Sequence, residues 1–113
     1  MSSNNIKIAE SLATAVSALT PDDHQIFQST LIKRIIQKTT GICGGHARVR
    51  NTRIAVWTLI SLAQQGMDDD TILQDFPGLT HLDLWITRMY YRDHHDEIDT
   101  LIIAHHREDG WDV

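Results

Sequence analysis

The chain has 113 residues, the length of one domain, and can bury a core without staples. Its 42% apolar and 22% charged content is globular, and no apolar run is long enough to cross a bilayer. The single cysteine excludes an internal disulfide and any multi-cysteine zinc site, and a net charge of −5 argues by itself against a nucleic-acid partner.

The N-terminal MSSNNIKIAE lacks the basic head and apolar stretch of a secretory leader, so the expected location is the cytoplasm, with no membrane contact. Ile8, Leu12, Ala15, Val16 and Leu19 recur at helical spacing and predict an amphipathic helix over 6–19. A second helix starts at Thr20-Pro21-Asp22-Asp23. Thr20 caps, Pro21 suits the first helical position, and the two aspartates favour the positive end of the dipole. It should reach about Arg34. Residues 35–40 are β-branched enough for a strand. The stretch GICGGHARVRNTR, residues 41–53, reads as turn and hairpin. Gly41, Gly44 and Gly45 serve the turn, residues 47–50 alternate like a short strand, and Asn51 is expected to take the left-handed conformation of a second turn.

Helical spacing returns at Val56, Leu59, Ile60 and Ala63 and stops at Gly66. Asp68 then caps a short helix with Ile72, Leu73 and Phe76 inward, broken by Pro77-Gly78. Thr80 caps the next helix, with Asp83 as its partner. Its expected inner stripe is Leu82, Trp85, Ile86, Met89 and Tyr90, which leaves His81, Leu84, Arg88, Tyr91, Arg92 and His95 outside. A last helix should cover residues 96–106, with Ile98, Leu101 and Ile102 inward, before a loose tail. Residues 68–92 therefore have the layout of a helix-turn-helix, which is also how small bundles are built without DNA.

Charge is segregated along the chain. Residues 24–67 carry six Lys/Arg and no Asp/Glu, whereas residues 68–113 carry twelve Asp/Glu and three Arg. A basic middle joined to an acidic half suggests an anionic partner for the middle, or pairing of opposite halves between two copies.

An ordered series of motifs carries a family resemblance: Gly41-Ile42-Cys43-Gly44-Gly45, Val49, Asn51-Thr52-Arg53-Ile54, Val56-Trp57, Gly66-Met67, Ile72-Leu73, Phe76-Pro77, Leu79-Thr80, Leu82, Tyr90 and Asp96-Glu97-Ile98. Over roughly residues 35–98 the chain resembles domain-of-unknown-function family 433. The resemblance implies a homeodomain-like helical fold. It also implies kinship with VapB-type antitoxins, which are found beside PIN-like nuclease toxins. The chain departs from the family pattern at His46-Ala47, Asn51 and Ala55, where the family has Arg-Pro, Gly and Pro. The expected fold is thus mainly α: a homeodomain-like helix-turn-helix bundle with a short β-hairpin arm and two extra N-terminal helices. The expected divisions are an extension over 1–34, the family-like domain over 35–106 and a tail over 107–113.

The candidate DNA contacts are Arg48 and Arg50, placed on one face of the short strand by alternation, with Lys33, Arg34 and Lys38. Arg88 and Arg92 lie one turn apart on the candidate recognition helix. That helix would lead with His81 and Asp83, a poor start for base reading. Arg53 is favoured as a structural clasp, pairing with an acid of the C-terminal half. No cofactor or catalysis is expected. The glycines match no phosphate-cradle spacing, and Cys43 with His46 lacks an orienting acid or amide. The histidine pairs His94-His95 and His105-His106 fit no zinc spacing. Trp57, Trp85, Tyr90, Met89 and Phe76 read as core. Two functions follow: a dimeric DNA-binding regulator, of antitoxin type with a PIN-like toxin partner, or a dimerisation and protein-interaction module without DNA.

Overall fold

A computed structural model describes residues 3–108 as six α-helices and one two-stranded antiparallel ribbon. The chain divides into two compact units, one ending at Thr30 and the other beginning at Leu31. The first holds α1 (Ser3–Ser17) and most of α2 (Pro21–Ile35). Thr20 caps α2 as expected, its Oγ1 accepting from the Asp23 amide at 3.2 Å. No described side chain from Asn5 to Thr30 is buried, and Ile6, Ile8, Leu12 and Ile26 are exposed.

The second unit holds the core. The last turn of α2 supplies Leu31, Ile32 and the buried Ile35. Helix α2 runs one residue into the expected strand, so β1 is only Ile36–Gln37. It pairs with β2 (Arg48–Val49), Ile36 opposite Val49 and Gln37 opposite Arg48. The other edge of β2 is bridged from Arg48 to Ala55. Between the strands lies a 3-10 turn, Cys43–Gly45, in which Gly44 takes φ +64°. This conformation favours glycine, and a Cβ there would also meet the His46 ring at a tight 3.2 Å.

The turn after β2 differs from expectation. The left-handed residue is Arg50, at φ +47°, and not Asn51. Thr52 fixes this geometry, its Oγ1 donating to the Val49 carbonyl at 2.6 Å and accepting from the Ile54 amide at 3.0 Å. The strain of a left-handed arginine is offset by the bonds its carbonyl and side chain make, described below.

Helix α3 (Val56–Gln64) is central and packs against α4 (Asp69–Asp75), α5 (His81–Asp93) and α6 (His95–Glu108). Val56, Leu59 and Ile60 are buried, as their spacing predicts, with Ile72, Ile98 and Ile102 from its neighbours. Asp68 caps α4 by accepting from the Thr71 amide at 2.9 Å. Thr80 and Asp83 form a complete capping box at the start of α5.

The inner face of α5 is not the expected one. Leu84, Ile86, Thr87, Met89 and Tyr90 are buried with Asp83, whereas Leu82 and Trp85 are 37% and 53% exposed. Helix α5 touches β1, α3, α4 and α6, so most of its circumference is covered. The polar pair Asp83 and Thr87 is held inside by hydrogen bonds, Thr87 Oγ1 donating to the Asp83 carbonyl at 2.7 Å. The narrow arc left to solvent carries His81, Leu82, Trp85, Arg88 and Arg92. Of the expected tail, residues 107–108 continue α6 and residues 109–113 lie outside the described residues.

Candidate functional site

The seven candidate cations fall into three situations. Arg48 is buried, 6% exposed. One of its terminal nitrogens donates to the carbonyls of Arg50 at 2.7 Å and Thr52 at 3.1 Å; the other donates to Gln37 at 3.3 Å and Thr39 at 3.1 Å. It is a knot inside the arm. Arg50, Lys38, Arg88 and Arg92 are bound to carboxylates. Arg50 Nε lies 2.6 Å from Asp83 Oδ1, and Asp83 Oδ2 accepts from the Thr80 amide at 2.9 Å. The Asp83 side chain is 1% exposed and the Arg50 side chain 48%. Lys38 Nζ lies 3.1 Å from Glu97 Oε1, Arg88 pairs with Asp69, and Arg92 Nε lies 3.5 Å from Asp93. Lys33 and Arg34, in the last turn of α2, are exposed with no ion pair to a described residue.

The arm is therefore clasped to the helices, but Arg50 does the clasping where Arg53 was favoured. Arg53 is exposed and bonds to no described residue. The positive φ at Arg50 breaks the period-two alternation, so Arg48 and Arg50 do not share a face.

Lys38, Glu97 and Tyr90 form a second clasp. The Tyr90 hydroxyl donates to Glu97 Oε2 at 3.1 Å. The bond to Glu97 holds the Lys38 ammonium above its usual range, and burial pushes the Tyr90 phenol up. The bond to Asp99 raises the Tyr91 phenol in the same way.

His94 and His105 are tied to helix backbones and rings, and His95 Nε2 lies 3.2 Å from Asp96 Oδ1. The Nδ1–H groups of His94 and His105 donate to the carbonyls of Tyr90 at 3.0 Å and Leu101 at 2.9 Å. The His94 ring stacks on Tyr90 and the His105 ring on Trp57, with centroids 4.0 and 3.9 Å apart. Two shallow hollows meet along Trp57, Thr58 and His105. One of about 390 Å³ is lined by the Cys43–Gly44 turn, His46 and Arg53; the other, of about 370 Å³, adds Ser61, Leu62, Gln65 and His106.

The family of proteins of unknown function DUF433 matches residues 36–91. The crystal structure of a DUF433 member protein from Anabaena variabilis ATCC 29413 is 37% identical, with a TM-score of 0.62 over 91% of this chain and 99% of that one. The chain belongs to the DUF433 family. The likeness to that DUF433 member extends beyond the matched segment into the N-terminal helices, since residues 1–35 are far more than the uncovered 9%. No curated protein matches the chain.

Lys38 and Arg50, expected on strands, lie just past the ends of β1 and β2, while Lys33, Arg34, Arg48, Arg88 and Arg92 lie in the expected elements. Asp83 was legible as a capping residue, but nothing in a linear sequence tells which arginine reaches it across 33 positions. No helix among the described residues is long and apolar enough to cross a membrane.

Proposed function

We propose that this DUF433 protein is a small homodimeric regulator that acts chiefly by binding protein, as the antitoxin of a toxin–antitoxin pair does, on a helix-turn-helix scaffold. The observation that carries this reading is the outer arc of α5. A DNA-reading helix presents polar side chains near its N-terminus. Here the exposed arc follows His81 with Leu82 and Trp85, and Arg88 and Arg92 are paired with aspartates. An exposed tryptophan beside a leucine is an anchor suited to a protein surface. In the antitoxin form of this reading the partner is a PIN-like nuclease. The exposed acids of the C-terminal half then face its basic or metal-binding site.

Sedimentation velocity of the full chain beside a Leu82→Ser/Trp85→Ser variant tests it. The expected result is a dimer that dissociates in the variant while its circular dichroism is unchanged. A wild-type chain that stays monomeric at every concentration counts against it.

DNA contact is the second reading, favoured by one observation: Lys33 and Arg34 are exposed with no described partner. Fluorescence anisotropy with random duplex DNA at two salt concentrations separates the two. Salt-sensitive binding that is lost in Lys33→Ala/Arg34→Ala would put DNA first. No binding at low salt would leave protein contact alone.

A further inference from the structure

In the segment GICGGHARVRNTR, residues 41–53, Arg53, His46 and the Cys43–Gly44 turn have no part in the clasp or in the proposed interface. They come together at the hollow beside the Cys43–Gly44 turn, against the first turn of α3. Three observations there point the same way. First, among the described residues no carboxylate lines either hollow. Second, Arg53 stands at the rim bonded to no described residue, whereas Arg48, Arg50, Arg88 and Arg92 all have partners. A free guanidinium presents a planar fork of donors matched to an oxyanion. Third, the hollow continues past Trp57 into a second one bounded by Leu62. The helix α3 begins at this junction, and Ala55 gives it no side-chain cap, so its dipole adds to the positive field of Arg53. The two volumes, about 390 and 370 Å³, are those of sites that take small molecules.

We propose that this cleft binds a small organic anion. Its carboxylate or phosphate head lies against Arg53 and His46, and its apolar body lies along Trp57 in the adjoining hollow. The site is separate from the α5 surface and stands or falls independently of it. No chemistry is performed on the ligand; the cleft recognises it.

The test uses the full chain and three probes: phenyl phosphate, benzoate and inorganic phosphate. Amide resonances are followed by NMR, and affinities are measured by calorimetry. The expected result is saturable binding of phenyl phosphate or benzoate, the tighter of the two naming the head. The shifts should centre on Gly44, Gly45 and Thr58, and inorganic phosphate should bind more weakly than phenyl phosphate. Arg53→Gln should weaken binding about ten-fold or more. Arg53 bonds to nothing described, so this variant should fold normally. Arg34→Gln, which removes an equally exposed arginine elsewhere, should leave the affinity unchanged. Equal losses in the two variants, or shifts that never saturate, would overturn the site. Trp57→Leu should erase the preference for phenyl over inorganic phosphate; a preference that survives would also overturn it.

Discussion

Arg48 and Arg50 are two residues apart and hold the arm in opposite ways, one from inside and one from outside. Removing Arg48 leaves the carbonyls of Arg50 and Thr52 and the side chains of Gln37 and Thr39 without their donor. Arg48→Ala should therefore lower stability by about 2–4 kcal/mol in urea unfolding. Any loss of DNA or partner binding should track that unfolding, and a fully stable variant with lost binding would contradict the structural role. Arg50→Ala acts across a partly solvated pair, so about 1–3 kcal/mol is expected. The cycle with Asp83→Ala should show coupling of at least about 1 kcal/mol, whereas additive losses would mean the contact contributes nothing. Neither role was legible from residue type. Alternation put the two arginines on one face, and Asn51 was the better left-handed candidate by intrinsic preference. Local bonding by Thr52 and a distant carboxylate overrode both.

The helix boundaries of the C-terminal half were legible because caps are local. Asp68, Thr80 and Gly66 each act within four residues, and each sits where its chemistry predicts. The rotation of α5 was not legible. A hydrophobic stripe gives the inward face only when one side of a helix is covered, and α5 is covered on several. Leu84→Ala should cost about 2–5 kcal/mol, while Trp85→Ser should stay within about 0.5 kcal/mol in the monomer. Thermal unfolding at low concentration measures both. A second expectation concerns acid. The amide and hydroxyl of Thr71 hold the Asp68 carboxyl below its usual range, so the folded state favours the ionised form. This contribution is present above the unfolded carboxylate value and is lost as pH falls through the lower folded one. The stability difference between wild type and Asp68→Asn should shrink as pH falls through that window. A difference constant with pH would show that the cap is not electrostatic.

Over the whole chain, the segregation of charge was the feature most visible in the sequence, and its purpose was the least. Basic middle and acidic half meet within one chain, Arg50 on Asp83 and Lys38 on Glu97. Sequence distance hides such pairs, since 59 residues separate the second. The Lys38 and Tyr90 shifts share one sign. Both groups keep their protons more firmly when folded, relative to ordinary values of 10.5 and 10.0. Their contribution is complete below those values and is lost as pH rises through the folded ones. Alkaline titration should loosen the arm from α5 and α6, seen as a falling midpoint of urea unfolding as pH rises. Lys38→Met should be less stable at neutral pH and lose less on titration. An identical alkaline profile in both would remove this clasp from the account.

The face-to-face packing of Trp57 and His105 gives the molecule an optical property. An indole stacked on a second ring emits differently from one facing water, so the emission of Trp57 follows whether the contact holds. With Trp85→Phe and Trp111→Phe in place, the emission should change as urea parts α3 from α6, and His105→Leu should shrink that change. Brightness then reports the contact between α3 and α6, making the protein its own dye for any event that parts them.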